Sequence, residues 1–170
     1  MPLKIVIILG SAPNATKLRE LDIGFADSLV VLNNAWQIRP DWTHLVHPDD
    51  FDRNRLPAPG NSQTIVTYND YVPSNNALGG VVYCGGTMAF SAGYWALETL
   101  QPDILGFFGC DMIYDNQEQN HFYGIGTPDP LRDDPTLQSL EAKSARLLLM
   151  AANSGCVCLN LSDQKESRLT

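Results

Sequence analysis

The sequence predicts an α/β domain built on a mainly parallel sheet, and three observations carry that expectation. Apolar runs of strand length recur between stretches of helical spacing, the order that produces parallel strands. The first run, Leu3–Leu9, is continuous rather than alternating, as a strand covered on both faces must be. The chain has 170 residues, enough to bury roughly two-thirds of its unfolded surface in one sizeable core.

Taken in order, Leu3–Leu9 is the candidate central strand, and the turn Gly10-Ser11-Ala12-Pro13-Asn14-Ala15 opens a helix from it. Strands follow at Ser28–Asn33 and Thr43–His47, then a polar, Pro- and Gly-bearing connection over 52–62, then strands at Gln63–Tyr68 and Gly80–Cys84. A helix runs from about Thr87 to Leu100. Its Ala89, Ser91, Ala92, Gly93 and Ala96 keep it slim enough to pack closely, and Pro102 closes it. Ile104–Phe108 is the next strand. The segment between Cys110 and Asp133 has no period and exceeds the usual two to six residues of an α/β connection, which marks a functional or mobile loop. Asp134-Pro135 reads as the N-cap and first residue of the last helix. Leu137, Leu140, Ser144, Leu147, Leu148 and Ala151 recur along it until Gly155 stops it, so it covers the sheet. A strand at Cys156–Leu161 places Cys156 and Cys158 on one face as small packers. The reading is a single Rossmann-like domain over 1–162, its mostly parallel sheet flanked by helices, with a charged C-terminal tail over 163–170.

Composition narrows the partners. Eleven Lys and Arg against 19 Asp and Glu give a net charge of −8, without the basic face that a nucleic-acid binder needs. Hydrophobic residues make up 44% and charged ones 18%, which excludes disorder. No apolar run approaches the roughly 20 residues of a membrane span, and the first ten residues lack the long apolar stretch of a signal peptide, so a cytoplasmic location is expected. The four cysteines form no CxxC pair, which argues against a zinc ribbon or a disulfide framework. Self-association is left open by the sequence.

Two loops are candidates for ligand binding. At 10–15, a glycine leaving a buried strand and small residues opening a helix let a phosphate approach backbone N–H groups, with a ligand-free tight turn as the competing reading. The dinucleotide fingerprint is missing, since the loop has one glycine and the second strand ends in Asn33-Asn34 instead of an acid, and no G-K-[ST] follows for a P-loop. At Cys84-Gly85-Gly86-Thr87, paired glycines allow close backbone approach, and Thr87 either caps the next helix with its hydroxyl or meets a ligand. Two such loops at the carboxyl ends of parallel strands face one crevice.

Strand-end residues add polar groups to that crevice: Asn33, Asn34, His47 and Asp111. An Asn there reads a base or sugar with a donor and an acceptor, or simply makes a turn. His44 and His47 point to opposite faces of a strand and cannot share a zinc. Asp49-Asp50, Asp133-Asp134 and Asp111 with Asp115 have the oxygens for a divalent cation, although caps and solvated loops use such pairs more often, and no metal is expected. His121, in Asn120-His121-Phe122-Tyr123-Gly124, has the near-neutral pKa that suits proton transfer, and the aromatics beside it are placed to cover a ligand.

The order of these pieces resembles bacterial lipo-oligosaccharide sialyltransferases. The resemblance rests on G-x-x-P at Gly10–Pro13, the strand ending in Asn34, His47-Pro48 followed by Phe51, the Gly-bearing loop at 85–87 before a small-residue helix, Gly109-Cys110-Asp111, and His121 with Gly124. It extends to uncharacterised Rossmann-like domains related to flagellin-glycosylation accessory proteins, and it covers most of the chain through short motifs. It implies a single domain that holds CMP-sialic acid without a metal, and nucleotide contacts from Gly10, Ser11, Ala12, Pro13, Asn34, Gly85, Gly86 and Thr87.

The chain also departs from that pattern. Ser11-Ala12 replaces an Asn-Gly, and Ile125 stands where the family has its base, just after the Gly matched by Gly124. The family's phosphate-supporting tyrosine falls at Ile113, one place before Tyr114, and only Tyr114–Asn120 separates the Asp111 strand from His121. The expectation is a glycosyltransferase-like protein that binds a nucleotide or nucleotide-sugar, with CMP favoured, and passes the sugar to a hydroxyl acceptor. His121 is the expected base and Asp111 the next candidate. The alternatives are a non-catalytic accessory module that kept the pocket, and a metal-dependent phosphate-ester hydrolase using the acidic pairs.

Overall fold

The computed structural model describes residues 2–80, 84, 87–113, 121–124 and 139–169. Six parallel strands form one sheet: β1 (Ile5–Leu9), β2 (Ser28–Leu32), β3 (His44–Val46), β4 (Thr64–Val66), β5 (Ile104–Phe108) and β6 (Val157–Asn160), in the order β4-β3-β2-β1-β5-β6. Among the described residues, three α-helices accompany it: α1 (Tyr68–Ala77), α2 (Met88–Trp95) and α3 (Leu140–Asn153). The expected Rossmann-like α/β fold is what the chain adopts.

The central strands β1, β2 and β5 are buried on both faces because alternate side chains feed two apolar layers. Val6 and Ile8 of β1, Val30 and Leu32 of β2, and Leu105 and Phe107 of β5 pack with the three helices. Ile7, Leu9, Leu29, Val31 and Leu45 face the other side, where Ala15, Leu18, Ala35, Ile38 and Trp42 cover them. That second layer is thin. It is made largely of 3-10 helices at Pro13–Arg19 and Asn33–Gln37, so the helix expected after β1 is a 3-10 helix with Pro13 in its first turn.

The chain steps outward from β1 to β4 through connections that include these 3-10 segments, then crosses back to β5 through α1 and α2 and reaches β6 through α3. Opposite directions of travel on opposite faces keep one hand of crossover throughout. The reversal leaves β1 and β5 adjacent where the winding changes direction, which is the switch point of the sheet.

The slim second helix does what its small residues predicted. A Cβ on Gly93 would stand 2.9 Å from Leu147 Cδ2 and 3.1 Å from Phe107 Cζ, so α2 sits close against α3 and β5. It continues through a π-helical turn at Ala96–Leu100 and ends before Pro102. Leu140, Ser144, Leu147 and Ala151 are buried along α3 as expected, and Gly155 follows its end with φ +76°.

Helix α3 is Leu140–Asn153, with Ser139 as its N-cap, whose hydroxyl accepts from the Ala142 amide at 3.2 Å, and the start expected at Asp134-Pro135 lies outside the described residues. The strand expected at Gln63–Tyr68 stops at Val66, because Thr67 and Asp70 form a capping box that starts α1 at Tyr68. The strand expected at Gly80–Cys84 falls mostly on 81–83, outside the described residues, as do Gly85, Gly86, Asp115, Ile125 and the Asp133-Asp134 pair.

The cysteines are free and structural. Cys84, Cys110 and Cys156 are buried, and Cys158 packs half-buried on the same cluster. Burial pushes the Cys84 and Cys158 thiols up to about 12 and Cys156 to about 11. The charged segment after residue 162 packs back on the domain. Leu169 is buried, the Arg168 amide donates to the Asp111 carbonyl at 2.9 Å, and the Arg168 guanidinium pairs with Glu141 at 2.7 Å. Among the described residues no helix is long and apolar enough to cross a membrane.

Candidate functional site

The two edges of the sheet differ in how their polar groups are satisfied. At the amino-terminal edge, carboxylates accept from strand amides: Asp27 from Ile5 and Asp103 from Lys4, each at 2.7 Å. At the carboxyl-terminal edge, buried side-chain atoms find no partner among the described residues. They are the Oδ1 atoms of Asn14, Asn33 and Asn34, the Trp36 indole Nε1, the His47 Nε2 and both carboxylate oxygens of Asp111. Every one of these residues follows β1, β2, β3 or β5. A buried polar atom without a partner costs about 1–3 kcal/mol, so a row of them along one edge makes it the candidate ligand site.

Gly10 and Gly109 bring the two central turns together. A Cβ on Gly10 would lie 2.2 Å from the Gly109 carbonyl oxygen, and a Cβ on Gly109, whose φ is +65°, would lie 2.5 Å from the Ala15 Cβ. Backbone bonds complete the join: the Gly10 amide donates to Phe108 at 2.8 Å and the Ala12 amide to Gly109 at 3.0 Å. The openness of Gly10 is therefore used by the neighbouring strand end. The Gly10, Ala12 and Ala15 amides are all spent on protein carbonyls, and Pro13 has none, so this loop offers fewer N–H groups to a phosphate than its sequence promised.

Ser11 points the loop toward His121. Its Oγ is 2.8 Å from His121 Nδ1, and its carbonyl accepts from the Phe122 amide at 2.9 Å. The His121 ring stacks on Tyr123 with centroids 4.9 Å apart and planes 5° apart. Burial lowers the His121 pKa, opposed by a hydrogen bond to the Ser11 backbone, so the ring is neutral near pH 7. Phe122 packs into the thin apolar layer and ties the segment to the domain.

His47 lies just past β3, its amide bonded to the β4 end. Its Nδ1 is 2.8 Å from the Pro48 carbonyl, which can only accept, so Nδ1 carries a proton and Nε2 is left as the ring nitrogen without a partner among the described residues. The ring rests on Phe51 at 5.5 Å. The Arg55 guanidinium stands 5.9 Å from the Phe51 centroid and 5.9 Å from the Tyr123 centroid. An arc thus runs from His47 through Phe51, Arg55 and Tyr123 to His121 and Ser11, along the rim of the carboxyl-terminal edge.

Asn33 and Met112, one just past β2 and the other past β5, adopt φ values of +52° and +53°. Non-glycine residues rarely take this conformation, and such strain concentrates at functional sites. Asn34, His47 and Asp111 are more than nine-tenths buried, while Asn14 uses its Nδ2 on Ser162 at 3.2 Å. Thr87 occupies the N-cap position of α2, but its side chain makes no cap bond; its carbonyl accepts from Phe90 and Ser91. His44 is turned to the helical layer, edge-on to Trp95 at 5.2 Å, away from His47 as its strand position required. Among the described residues no three His, Cys, Asp or Glu side chains are grouped to hold a metal.

Ser11, His121, Asn33, Asn34, His47 and Asp111 are thus gathered at one edge, with Gly10 as the joint between its central turns. Trp36 and Arg55 were not singled out from the sequence. The spacing of Phe51 and Arg55 carried the only signal for the latter. No family model matches the chain, and no curated protein or solved structure matches it.

Proposed function

We propose that this chain is a glycosyltransferase-like protein that binds a nucleotide or nucleotide-sugar, CMP-type donors first, in the crevice at the carboxyl-terminal edge of β1, β2, β3 and β5. The observation that carries the reading is the row of buried polar atoms without a partner among the described residues, from Asn14 Oδ1 through Asn33 Oδ1, Asn34 Oδ1 and His47 Nε2 to the Asp111 carboxylate. Its position at the switch point of a parallel sheet supports it, because ligands of open α/β sheets bind there.

The chemistry the site supports is transfer to a hydroxyl. His121, neutral because it is partly desolvated, takes the proton of the acceptor hydroxyl as the oxygen attacks the anomeric carbon. The bond to the donor phosphate breaks, and its electron pair leaves on the phosphate oxygen. Tyr123 holds the imidazole plane and Ser11 holds Nδ1, which leaves Nε2 for the proton.

A non-catalytic binding module is the second reading. It is favoured by the loop amides of Gly10, Ala12 and Ala15, which are already engaged within the protein and so provide little for a leaving phosphate.

Thermal melting with a nucleotide panel, without added metal, tests binding. A ligand at 100 times its Kd adds about 2.7 kcal/mol, which for a chain of this size raises the Tm by about 5–10 °C. No shift with any nucleotide at millimolar concentration would remove the assignment. Turnover of a bound nucleotide-sugar then separates transferase from binding module.

A further inference from the structure

Apart from the Trp36 indole N–H, which is a donor, the unpartnered atoms at the carboxyl-terminal edge are oxygens and one imidazole nitrogen. Asp111 offers two carboxylate oxygens, and His47, its Nδ1 proton held by the Pro48 carbonyl, leaves Nε2 as the ring nitrogen for a ligand. The Asn14, Asn33 and Asn34 amides also leave their oxygens unmatched. An amide can turn over to present its NH2, but Asp111 cannot, and His47 cannot without losing its bond to Pro48. The fixed groups stand at the two ends of the row, past β5 and past β3, three inter-strand spacings or about 14 Å apart. The adaptable amides lie between them.

Acceptors of this kind repel a phosphate and pair with O–H and N–H groups. The surrounding charge agrees: the chain carries −8 overall, and Asp49 and Asp50 follow directly on Pro48. The cation at this rim is Arg55, which faces the Phe51 and Tyr123 rings and makes no ion pair among the described residues.

We propose that the crevice recognises its ligand through the ligand's hydrogen-bond donors, taking a neutral, hydroxyl- and amine-bearing nucleoside or glycosyl moiety over Asn34, His47 and Asp111, with any phosphate held outside that floor at Arg55. This rests on the nucleotide-binding reading and deepens it. It assigns Arg55 as the anion contact, and it reverses the expectation that the glycine-bearing loop at 10–15 is built around a phosphate.

The test is calorimetric titration with cytidine, CMP and inorganic phosphate as probes. Cytidine is expected to bind within about tenfold of CMP, the worth of one charged hydrogen bond, and inorganic phosphate not to displace it. Arg55→Gln brings the CMP affinity down to that of cytidine, and Asp111→Asn weakens both by about tenfold or more. CMP binding with no cytidine binding, or phosphate displacing CMP from the floor, overturns this polarity and leaves the nucleotide-binding reading standing. If neither cytidine nor CMP binds, the nucleotide-binding reading fails and takes this one with it. The comparison of cytidine with CMP uses the wild-type protein, so it decides the question even if Asp111→Asn does not fold.

Discussion

His121 is the residue on which a catalytic role stands or falls. General-base catalysis is worth about 10²–10⁴-fold. His121→Ala is therefore expected to lower glycosyl transfer by that factor while donor affinity stays within a few fold, as steady-state kinetics and titration will show. Unchanged turnover would shift the chemistry to Asp111. Gly10 makes a different demand. An alanine Cβ would land 2.2 Å from a backbone carbonyl that cannot swing away, so Gly10→Ala is expected to cost about 2–3 kcal/mol in chemical denaturation. The sequence left Gly10 between a ligand's approach and a tight turn, and the structure uses it to seat one turn on another. Its local spacing looks the same in both cases, because the partner, Gly109, is far away in the chain.

Two histidines also set a pH dependence. Burial lowers both His44 and His121, so below the ordinary imidazole value of about 6.5 the unfolded chain binds protons that the folded chain refuses. Their contribution is complete above that value and is lost as pH falls toward the lower, folded-state pKa values. The Tm is expected to drop between pH 7.5 and pH 5.5, and the double substitution His44→Gln with His121→Gln to make that drop shallower. An unchanged slope would mean that neither ring is desolvated in solution.

Among the elements, the strands were legible and α1 was not. Ile5–Leu9, Leu29–Leu32 and Ile104–Phe108 announce themselves because burial on both faces demands apolar runs without polar interruption. Helix α1 carries Pro73 inside it and is rich in asparagine, so no apolar stripe reveals it. Its one clear sign was Thr67-x-x-Asp70, which reads as a capping box. What holds α1 is Asn75, buried in the core: its Nδ2 donates to the Tyr71 and Ser91 carbonyls, and its Oδ1 accepts from the Cys84 thiol. Removing that hub leaves several buried groups unpaired, so Asn75→Ala is expected to destabilise by about 2–3 kcal/mol. A loss below about 0.5 kcal/mol in urea denaturation would show that α1 is held by its apolar residues alone.

At the scale of the whole molecule, topology concentrates the polar side chains of four strand ends along one edge while the opposite edge satisfies its own. The sequence pointed to Asn14, Asn33, Asn34, His47 and Asp111 because strand ends can be read from apolar runs, and it missed Trp36 and Arg55. It could not give their polarity, since that depends on which atoms the fold leaves unpaired, such as His47 Nε2 once Nδ1 is bound to Pro48. Amide chemical-shift mapping during a CMP titration tests the central claim most directly. Binding at the switch point perturbs the amides of residues 11–15, 33–36, 47–51, 110–112 and 121–124 and leaves those near Asp27 and Asp103 unchanged. A titration that saturates while perturbing the amino-terminal edge, or one that perturbs nothing, would contradict the account.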